Sequence, residues 1–447
     1  MKKVYFVGIK GVGMCGLANI MKSLGYEVLG SDTKEKFFTD DILKRLKIRY
    51  FEGFKKDNLP NDTDLLIVSQ AYAKRIENKI ETKNIEVKEA IRRKIPILLY
   101  PEALGIIFNK SFGIAVCGTH GKSTVSAMIG EILNRSKLDF IALVGSEVIN
   151  WKSNSILRIR KKRDFKNIPF VIEADEYRGA FLNYKPEIIV ITNLDYDHPD
   201  FFKNPKEYKS VFEKFLKNLK GKKILITNEK IKLPNGIKKI NVDYSKIPDF
   251  KLKFFGEHYK KNAYLAYLVG RLLGIKKEII LKSLKEYRGI KRRFEYLGEV
   301  RINNRKIKLI DDYAHHPKEI ESILNSLKEM KVDLDKVWLI FQPHTFTRTY
   351  ALFDDFLKIL SKFKNVIILK TYASAREKGM KDLSKDLAKK LKGKIKNVKY
   401  FADKEKVAKF LKKNLSALSA DRSDKEYIIT CGAGDVWKVI EILKNSL

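Results

Sequence analysis

Short apolar runs rich in β-branched residues alternate along the whole chain with stretches whose apolar residues recur at helical spacing. Such an alternation is typical of parallel sheets whose strands are joined by crossover helices. The runs fall into three successive sets. The first set predicts four strands and ends near Pro101, with the runs "KVYFVGI", "YEVLGSD", "DLLIVSQ" and "IPILLY".

The second and third sets continue the pattern. The second is longer and more apolar, which predicts strands buried on both faces, in "FGIAVCG", "FIALVGS", "FVIEAD", "EIIVITNL" and "KKILITN". The third follows "KRRFEYLGEV" and comprises "KIKLIDDYA", "KVWLIFQPH", "NVIILKTYA", "NVKYF" and "EYIITCGAGDV". We therefore predict an α/β fold with three domains, residues 1–107, 108–295 and 296–447, the first and last of them Rossmann-like and the central one built on a mostly parallel sheet.

Composition supports a globular chain with several cores. Its 447 residues are 44% hydrophobic, which is ample core material. The three cysteines, Cys15, Cys117 and Cys431, are far apart, so we expect neither a disulfide framework nor a paired-cysteine metal site. No apolar run approaches the roughly 20 residues that cross a bilayer. We expect a cytoplasmic protein without a membrane partner.

The formal net charge of +37 favours an acidic partner, whether nucleic acid, an anionic membrane or a phosphorylated substrate. The lysines, however, are spread along the whole chain and lack the interleaved aromatic residues of a single-strand binder. Nucleic-acid binding is therefore an alternative that rests on charge alone. We expect no nucleic-acid partner.

The segment "FGIAVCGTHGKSTVSAMIGEIL" places a glycine loop between a predicted strand and a predicted helix. Backbone N–H groups and the helix dipole favour an anion at such a helix N-terminus. The loop ends like a phosphate-binding loop, although Val116 stands where the usual longer pattern has its first glycine. We predict that Lys122 binds the phosphates of a nucleotide and that Ser123 or Thr124 holds Mg²⁺. A glycine turn with an incidental lysine is the alternative.

Two predicted strands of the second set, "FVIEADEY" and "EIIVITNLDYDHPD", run from apolar into acidic residues. In a parallel sheet their carboxyl ends lie at the same edge as the phosphate loop. Carboxylates with an imidazole suit Mg²⁺ or Mn²⁺ that bridges phosphates. Ordinary polar strand ends are the alternative. The residues expected to converge are Glu173, Asp175, Glu176, Asn193, Asp197 and His198.

The first predicted strand leads into a second glycine loop, "VGIKGVGMCG". Gly8, Gly11, Gly13 and Gly16 precede a predicted helix, and Asp32 closes the second strand. This resembles a dinucleotide-binding pattern, in which the acidic residue binds a ribose hydroxyl and a diphosphate approaches the backbone. A nicotinamide oxidoreductase and a turn without ligand are the alternatives. The ATP-type motifs elsewhere argue against the oxidoreductase.

The third set contains histidines where strands lead into helices. In "DDYAHHP" the pair His315 and His316 precedes Pro317, a residue that suits the first turn of a helix. Imidazoles at such a turn lie where ligands bind. His344 and Arg348 follow in "FQPHTFTRT". A structural histidine and a surface arginine are the alternatives for His315 and Arg348.

Seven motifs, in chain order, resemble those of the Mur ligases: "GTHGKST", "EADEY", "TNLDYDHPD", "KRRFE", "DDYAHHP", "FQPHTFTRT" and "CGAGDV". A short "GTHGK" loop is normal in that family. The resemblance implies a Rossmann-like UDP-sugar-binding domain, a P-loop-type central ATPase domain and a Rossmann-like ligase domain that closes over the active site. The cofactors that it implies are ATP and Mg²⁺ or Mn²⁺.

The resemblance also implies roles for individual residues. Tyr259, within "GEHYKKNA", departs from the family pattern, which usually has asparagine there. The expected contacts of ATP are Gly118, Thr119, His120, Gly121, Lys122, Ser123 and Thr124, with Asn193 near the phosphates, His258 and Asn262 near the adenine and Asp312 near the ribose. The UDP-sugar is expected at Gly11, Gly13, Gly16 and Asp32, and the metal at Ser123, Glu173 and His198. The expected catalytic residues are Lys122, Arg292, His316, His344 and Arg348.

The motifs are most similar to the branch of the family that joins L-alanine to the lactyl carboxylate of UDP-N-acetylmuramate through an acyl phosphate, in cytoplasmic peptidoglycan precursor synthesis. "FQPHTFTRT" favours this branch over the one that recycles murein tripeptide onto the same acceptor. The implied partners are these two small molecules. We expect a monomer or a weak homodimer.

Overall fold

The computed structural model describes residues 2–160, 165–199, 201–302, 305–373, 377, 381–416 and 426–446. Each of the three sets of apolar runs forms one main sheet. A separate two-stranded sheet lies within the first set along the chain, between its last two strands. Short 3₁₀ helices lie at Lys56–Asn58, Phe165–Asn167, Tyr177–Asn183, Tyr244–Lys246 and Leu334–Lys336. The predicted α/β fold with mostly parallel sheets is confirmed.

The first sheet has five parallel strands in the order β3-β2-β1-β4-β7. Its central strand is buried on both faces, with Tyr5 and Phe6 fully covered. Apolar residues in succession therefore mark this strand, as in most parallel sheets. The elements are β1 (Lys3–Val7), α1 (Val12–Ser23), β2 (Glu27–Asp32), α2 (Thr39–Arg45), β3 (Arg49–Glu52), β4 (Leu65–Val68), β5 (Ala73–Ile76), β6 (Lys79–Thr82), α3 (Ile85–Arg92), β7 (Ile97–Leu99) and α4 (Tyr100–Phe108).

The second sheet has seven strands, in the order β10-β9-β11-β8-β12-β13-β14. The elements are β8 (Phe112–Cys117), α5 (Lys122–Arg135), β9 (Phe140–Val148), β10 (Ser153–Arg158), β11 (Pro169–Glu173), β12 (Ile188–Ile191), α6 (Pro205–Leu216), β13 (Ile224–Thr227), β14 (Lys238–Asn241), α7 (Glu257–Leu272) and α8 (Lys277–Glu286). Strand β8 pairs in parallel with β11 on one side and β12 on the other. The ends of β11 and β12 therefore flank the loop that follows β8.

The third sheet has six strands, in the order β15-β16-β20-β17-β18-β19. The elements are β15 (Glu295–Ile302), β16 (Arg305–Asp312), α9 (Pro317–Glu329), β17 (Val337–Phe341), α10 (Phe346–Ala351), α11 (Phe353–Leu360), β18 (Asn365–Leu369), α12 (Ser384–Lys392), β19 (Asn397–Phe401), α13 (Lys404–Ser416), β20 (Glu426–Cys431) and α14 (Lys438–Asn445). Leu339 and Ile340 are successive residues of β17, so their side chains point to opposite faces of the sheet. They belong to two different hydrophobic clusters, and both faces are therefore covered.

Several edge strands were not predicted. β10 and β15 are antiparallel to their neighbours, and β3 and β14 close the outer edges of their sheets. The sequences of β3 and β15, "RYFE" and "EYLGEVRI", mix polar with apolar residues; β3 is mostly exposed and β15 is partly exposed. Edge strands need only one apolar face, so the long buried runs that mark the central strands do not reveal them.

The described residues form two compact units. The first and second sheets lie in one unit, and the third sheet lies in the other together with Tyr196–Pro205 and Phe254–Lys260. In the first unit, Asn19 Nδ2 donates to Ser155 Oγ at 2.9 Å and Asn154 Nδ2 donates to the Val12 carbonyl at 2.7 Å, which joins α1 to the second sheet. The predicted domain boundaries near residues 107 and 295 stay a prediction.

We find no helix in the described parts of the chain that combines the length and the apolar composition needed to span a membrane.

Candidate active site

The loop between β8 and α5 has the backbone of a phosphate-binding turn. Gly118 and Gly121 have φ values of +122° and +83°, a region that side chains disfavour. A Cβ atom at Gly118 would lie 2.3 Å from Thr192 Oγ1, and one at Gly121 would lie 2.7 Å from Asn262 Oδ1. The N-cap of α5 is Gly121, which has no side chain to cap the helix. The N–H groups of its first turn are therefore left to face a ligand, and the loop fits a phosphate group.

The end of β12 holds this loop in place. Asn193 Oδ1 accepts the His120 N–H at 3.1 Å, and Asn193 Nδ2 donates to the His120 carbonyl at 2.9 Å. The Thr119 N–H donates to the Asn193 carbonyl at 3.2 Å. His120 Nε2 lies 3.8 Å from Asp195 Oδ2. Asn193, predicted to lie near the phosphates, thus fixes the loop conformation through backbone bonds.

Lys122 lies at the centre of an acidic group. Its Nζ donates to the Gly118 carbonyl at 2.6 Å and to Glu176 Oε2 at 3.0 Å, and Glu176 is fully buried. Burial opposes the ammonium charge, but Glu176, Asp175 and Glu173 together raise the pKa of Lys122 above its usual value. Lys122 is therefore fully charged at neutral pH, as a residue that neutralises phosphate must be.

The donors near the loop fit a hard cation. Glu173 ends β11, and its Oε2 accepts the Gly145 N–H at 2.7 Å, which leaves the other carboxylate oxygen for a ligand. Within the described residues, no group is hydrogen-bonded to the hydroxyl of Ser123 in the first turn of α5. A carboxylate and a hydroxyl beside a phosphate loop are the oxygen donors that Mg²⁺ prefers. His198 belongs to the other unit.

The glycine loop after β1 is organised by an internal carboxylate. Gly11 precedes α1, which no side chain caps. Asp32 is buried; its Oδ2 accepts the Lys10 N–H at 2.7 Å, and its Oδ1 accepts the Thr33 N–H at 2.8 Å and the Tyr72 hydroxyl at 3.2 Å. Asp32, predicted to meet the ligand, therefore first serves to hold the loop.

Two glycines of α1 are needed for close packing. A Cβ atom at Gly13 would lie 2.5 Å from the Tyr100 hydroxyl oxygen. One at Gly16 would lie 2.2 Å from Leu143 Cδ1 in β9 of the second sheet. Gly16 was predicted as a diphosphate contact, and the structure gives it a packing role between the first two sheets.

In the second unit, a buried ion pair joins two motifs that lie far apart in the chain. Arg348 is 5% exposed, and its Nε donates to Asp197 Oδ1 at 3.0 Å. Its Nη1 lies 3.3 Å from His344 Nδ1. Burial opposes the charge of Asp197, but Arg348, His198 and His315 lower the pKa of this carboxyl well below its usual range. The pair is therefore charged at neutral pH.

The side chain of His344 packs in an aromatic cluster. Its ring stacks on Tyr372 at a centroid distance of 5.9 Å and meets His315 edge-on at 5.8 Å. Burial and the charge of Arg348 lower the pKa of His344 to about 4. Burial lowers the pKa of His315 to about 3. Both imidazoles are therefore neutral near pH 7 and can accept a hydrogen bond.

His316 has a structural task that the sequence did not reveal. It precedes α9, and its Nδ1 accepts the Lys318 N–H at 3.3 Å. Glu319 completes the capping arrangement by accepting the His316 N–H at 3.3 Å. The predicted catalytic role of His316 stays a prediction, and its Nδ1 is occupied by the helix.

Arg292 is held by the third sheet. It was predicted to meet the γ-phosphate region. Its guanidinium donates to Asp311 Oδ2 at 2.8 Å, to the Gly432 carbonyl at 2.6 Å and to the Gly434 carbonyl at 3.1 Å. Three internal bonds fix this side chain, and they use three of the five N–H groups of its guanidinium, so a role toward a ligand would fall to the other two.

Asp312, predicted to lie near the ribose, also has internal partners. Its Oδ2 accepts the Phe294 N–H and its Oδ1 accepts the Ala314 N–H, both at 2.7 Å. Burial raises the pKa of Asp312 to about 7. The carboxyl thus shapes the turn after β16.

Tyr259, the residue that departs from the family pattern, lies in the first turn of α7 and has internal partners. The ring of Tyr259 stacks on Phe254, with centroids 4.9 Å apart, and its hydroxyl donates to the Arg293 carbonyl at 3.1 Å. The side chain is buried, and its hydroxyl is already hydrogen-bonded within the protein. His258 packs against the same ring at 4.3 Å.

Comparison with known proteins accounts for this arrangement of motifs. Three sequence models match in chain order: the Mur ligase family catalytic domain at residues 3–111, the Mur ligase middle domain at 116–253, and the Mur ligase glutamate ligase domain at 292–434. The chain belongs to the Mur ligase family. Members of the Mur ligase family are ATP-dependent ligases. The assignment of the loop around Lys122 to ATP stays a prediction.

Individual relatives extend over nearly the whole chain. A UDP-N-acetylmuramate–L-alanine ligase from Borreliella burgdorferi is 35% identical over 97% of this chain and 97% of its own length. One from Acetivibrio thermocellus is 35% identical over 99% of this chain and 95% of its own. The crystal structure of UDP-N-acetylmuramate-alanine ligase from Thermotoga maritima matches with a TM-score of 0.75 over 100% of this chain and 99% of that one, at 24% identity, which supports the fold.

Sequence reasoning missed two residues outside the quoted motifs that support residues within them. Glu377 accepts the N–H groups of Phe346 and Thr347, each at 2.9 Å, and so caps α10. Tyr208 donates to Glu176 at 3.0 Å. Glu377 lies in a polar stretch and Tyr208 on an amphipathic helix, so neither carried a local signal.

Proposed function

We propose that this chain joins L-alanine to the carboxylate of UDP-N-acetylmuramate at the expense of ATP, in cytoplasmic peptidoglycan precursor synthesis. The observation that carries the proposal is the charged Lys122 in an uncapped phosphate loop beside Glu173 and Glu176, within a chain 35% identical along almost its whole length to ligases of that name.

An amide does not form from a carboxylate and an amine in water unless the carboxylate is activated. Transfer of the γ-phosphoryl group of ATP to the lactyl carboxylate gives an acyl phosphate, and the alanine nitrogen then attacks its carbonyl carbon and displaces phosphate. Lys122 and the first N–H groups of α5 would hold the phosphates and neutralise their charge. Mg²⁺, when bound, supplies further neutralisation of the phosphate oxygens, and Ser123 and Glu173 are its proposed ligands.

Residues of the second unit are proposed to bind L-alanine. Arg348 carries a fixed charge that suits the alanine carboxylate, and Asp197 keeps its guanidinium oriented. His344 is neutral near pH 7 and can accept a hydrogen bond from the alanine nitrogen. We place this role on His344 ahead of His316, because His344 lies beside Arg348, the proposed partner of the alanine carboxylate, whereas His316 caps α9.

The test compares amino donors. We expect ADP release to require UDP-N-acetylmuramate and L-alanine together, with product carrying one added alanine by mass spectrometry. If ADP were released with murein tripeptide and not with L-alanine, the choice of amino donor would be overturned in favour of the recycling activity. Tight, salt-sensitive binding of DNA or RNA with no ADP release under any donor would overturn the ligase proposal itself. The expected monomer or weak homodimer stays a prediction.

A further inference from the structure

Tyr100 lies at the same edge of the first sheet as the glycine loop after β1. It is the first residue of α4 and directly follows β7, which pairs in parallel with β4, itself the neighbour of β1. Its ring packs against Gly13, where a Cβ atom would lie 2.5 Å from both Cζ and the hydroxyl oxygen of Tyr100. The tyrosine therefore forms one wall of the loop that we assign to the sugar nucleotide.

The same side chain is close to the acidic edge of the second sheet. Burial, followed by the charges of Glu173 and Asp175, raises the pKa of Tyr100 above its usual value. These two carboxylates also act on Lys122. Tyr100 thus packs on the loop for the sugar nucleotide and is near enough to Glu173 and Asp175 for their charges to act on it. Near neutral pH its hydroxyl keeps its proton and serves as a donor.

Among the described residues no group forms a hydrogen bond with the Tyr100 hydroxyl, although the side chain is half-buried. Other tyrosines of the same unit are bonded: Tyr72 to Asp32 at 3.2 Å and Tyr208 to Glu176 at 3.0 Å. A half-buried phenol beside the glycine loop is therefore free to donate a hydrogen bond to a ligand that lies on that loop.

We propose that Tyr100 is a positioning residue for the sugar nucleotide, whose hydroxyl donates a hydrogen bond to an anionic oxygen of that substrate. The inference rests on the proposed function. The diphosphate and the lactyl carboxylate both offer such an oxygen, and the substrate must place the first at the loop after β1 and the second toward Lys122. Tyr100 packs against Gly13, at the first of these two positions.

The experiment is kinetic and uses the full chain. Tyr100→Phe should raise KM for UDP-N-acetylmuramate about tenfold, as loss of one hydrogen bond to a charged group does, while KM for ATP and for L-alanine and kcat change less than about twofold. Tyr5→Phe is the matched control. Tyr5 lies in β1 of the same sheet, and its hydroxyl donates to Glu86 of α3 at 3.3 Å. This control should leave all three KM values unchanged.

Binding measured without ATP separates the two oxygens. If Tyr100→Phe weakens calorimetric binding of UDP as much as that of UDP-N-acetylmuramate, the donor serves the diphosphate. If UDP binds as in the wild type and only the muramoyl compound is weakened, it serves the carboxylate. Either result supports the proposal.

Unchanged affinity for both compounds in an active Tyr100→Phe enzyme would overturn the role of Tyr100 and leave the proposed function intact. A wild-type enzyme that neither binds nor consumes UDP-N-acetylmuramate would instead overturn the proposed function. An equal loss in every parameter, with a lower melting temperature, would show a merely structural tyrosine and would also overturn the proposal.

Discussion

The first unit contains two glycine loops that each join a central parallel strand to a helix with a glycine N-cap. Each loop includes a lysine with acidic partners: Lys10 is buried and Lys122 is partly buried. The Nζ of Lys122 stays at its own loop, where it donates to the Gly118 carbonyl and pairs with Glu176. Lys10 turns away from its loop, because its Nζ lies 3.0 Å from Asp40 Oδ1 and 3.3 Å from Glu52 Oε1. The direction of the lysine therefore distinguishes the two loops.

This contrast separates binding from chemistry. The loop after β1 offers backbone N–H groups with its lysine turned aside, which suits a diphosphate that is held and not broken. The loop after β8 adds a charged side chain where negative charge is redistributed during phosphoryl transfer. Changes in the two lysines should therefore have different kinetic consequences.

The largest effect is expected for Lys122→Met, which should lower kcat by about 10³-fold because it removes the charge that stabilises the transferred phosphoryl group. It also leaves the buried Glu176 without its cation, so the melting temperature should fall. The double variant Lys122→Met with Glu176→Gln should recover the melting temperature but not kcat. Recovery of kcat in the double variant would contradict the assigned role.

A smaller loss is expected for Gly118→Ala, about 10²-fold in kcat/KM for ATP. The new Cβ would meet Thr192 Oγ1 at 2.3 Å in a backbone region with φ of +122°, so the loop must shift. Gly236→Ala is a matched control, since Gly236 also has positive φ, +79°, but open space around its Cβ. Equal kinetic losses in both variants would show that backbone strain alone, and not the fit of the loop, determines activity.

Lys10→Met should act on the other loop. We expect KM for UDP-N-acetylmuramate to rise about tenfold with kcat nearly unchanged, because the loop loses its tie to Asp40 and Glu52. Lys74→Met removes an exposed ion pair to Glu81 in the same region and should change nothing measurable. A fall in kcat with unaltered KM in Lys10→Met would contradict the division between the two loops.

The smallest effect concerns pH. Glu176 and its neighbours raise the pKa of Lys122 against the effect of burial, so this lysine holds its proton more tightly in the folded chain than in the unfolded one. Its stabilising contribution is therefore complete below the unfolded pKa of about 10.4 and is lost only as the pH rises beyond that value. The melting-temperature difference between wild type and Lys122→Met should stay constant from about pH 7 to pH 10 and shrink above. A decrease already between pH 7 and pH 9 would contradict the assignment.

Much of the phosphate site was predictable because its parts are close together in the chain. A buried strand, a glycine turn and the start of a helix are all encoded within "FGIAVCGTHGKST", and the apolar runs before Glu173 and Asn193 place both residues at strand ends. What the sequence did not reveal is that Asn193 binds the backbone of His120 and that Glu176 is the buried partner of Lys122.

Residues with internal partners were the hardest to interpret from sequence. Arg292 and Asp312 stand in motifs that resemble ligand contacts, yet both bond to the turns of their own sheet. Gly16 and Gly13 stand in one pattern, but one packs against the second sheet and the other against Tyr100. A motif indicates that a residue is constrained, without indicating whether a ligand or the protein constrains it.

The spacing of apolar and glycine residues along the chain was enough to establish three parallel-sheet regions and the two loops at their strand ends, because these features depend on neighbours a few positions away. Tertiary structure alone decided that Arg348 pairs with Asp197, that Lys10 turns away from its loop and that the Tyr100 ring covers Gly13. Such contacts join distant parts of the chain, and they depend on strand order and on packing distances of a few ångströms, which local periodicity does not encode.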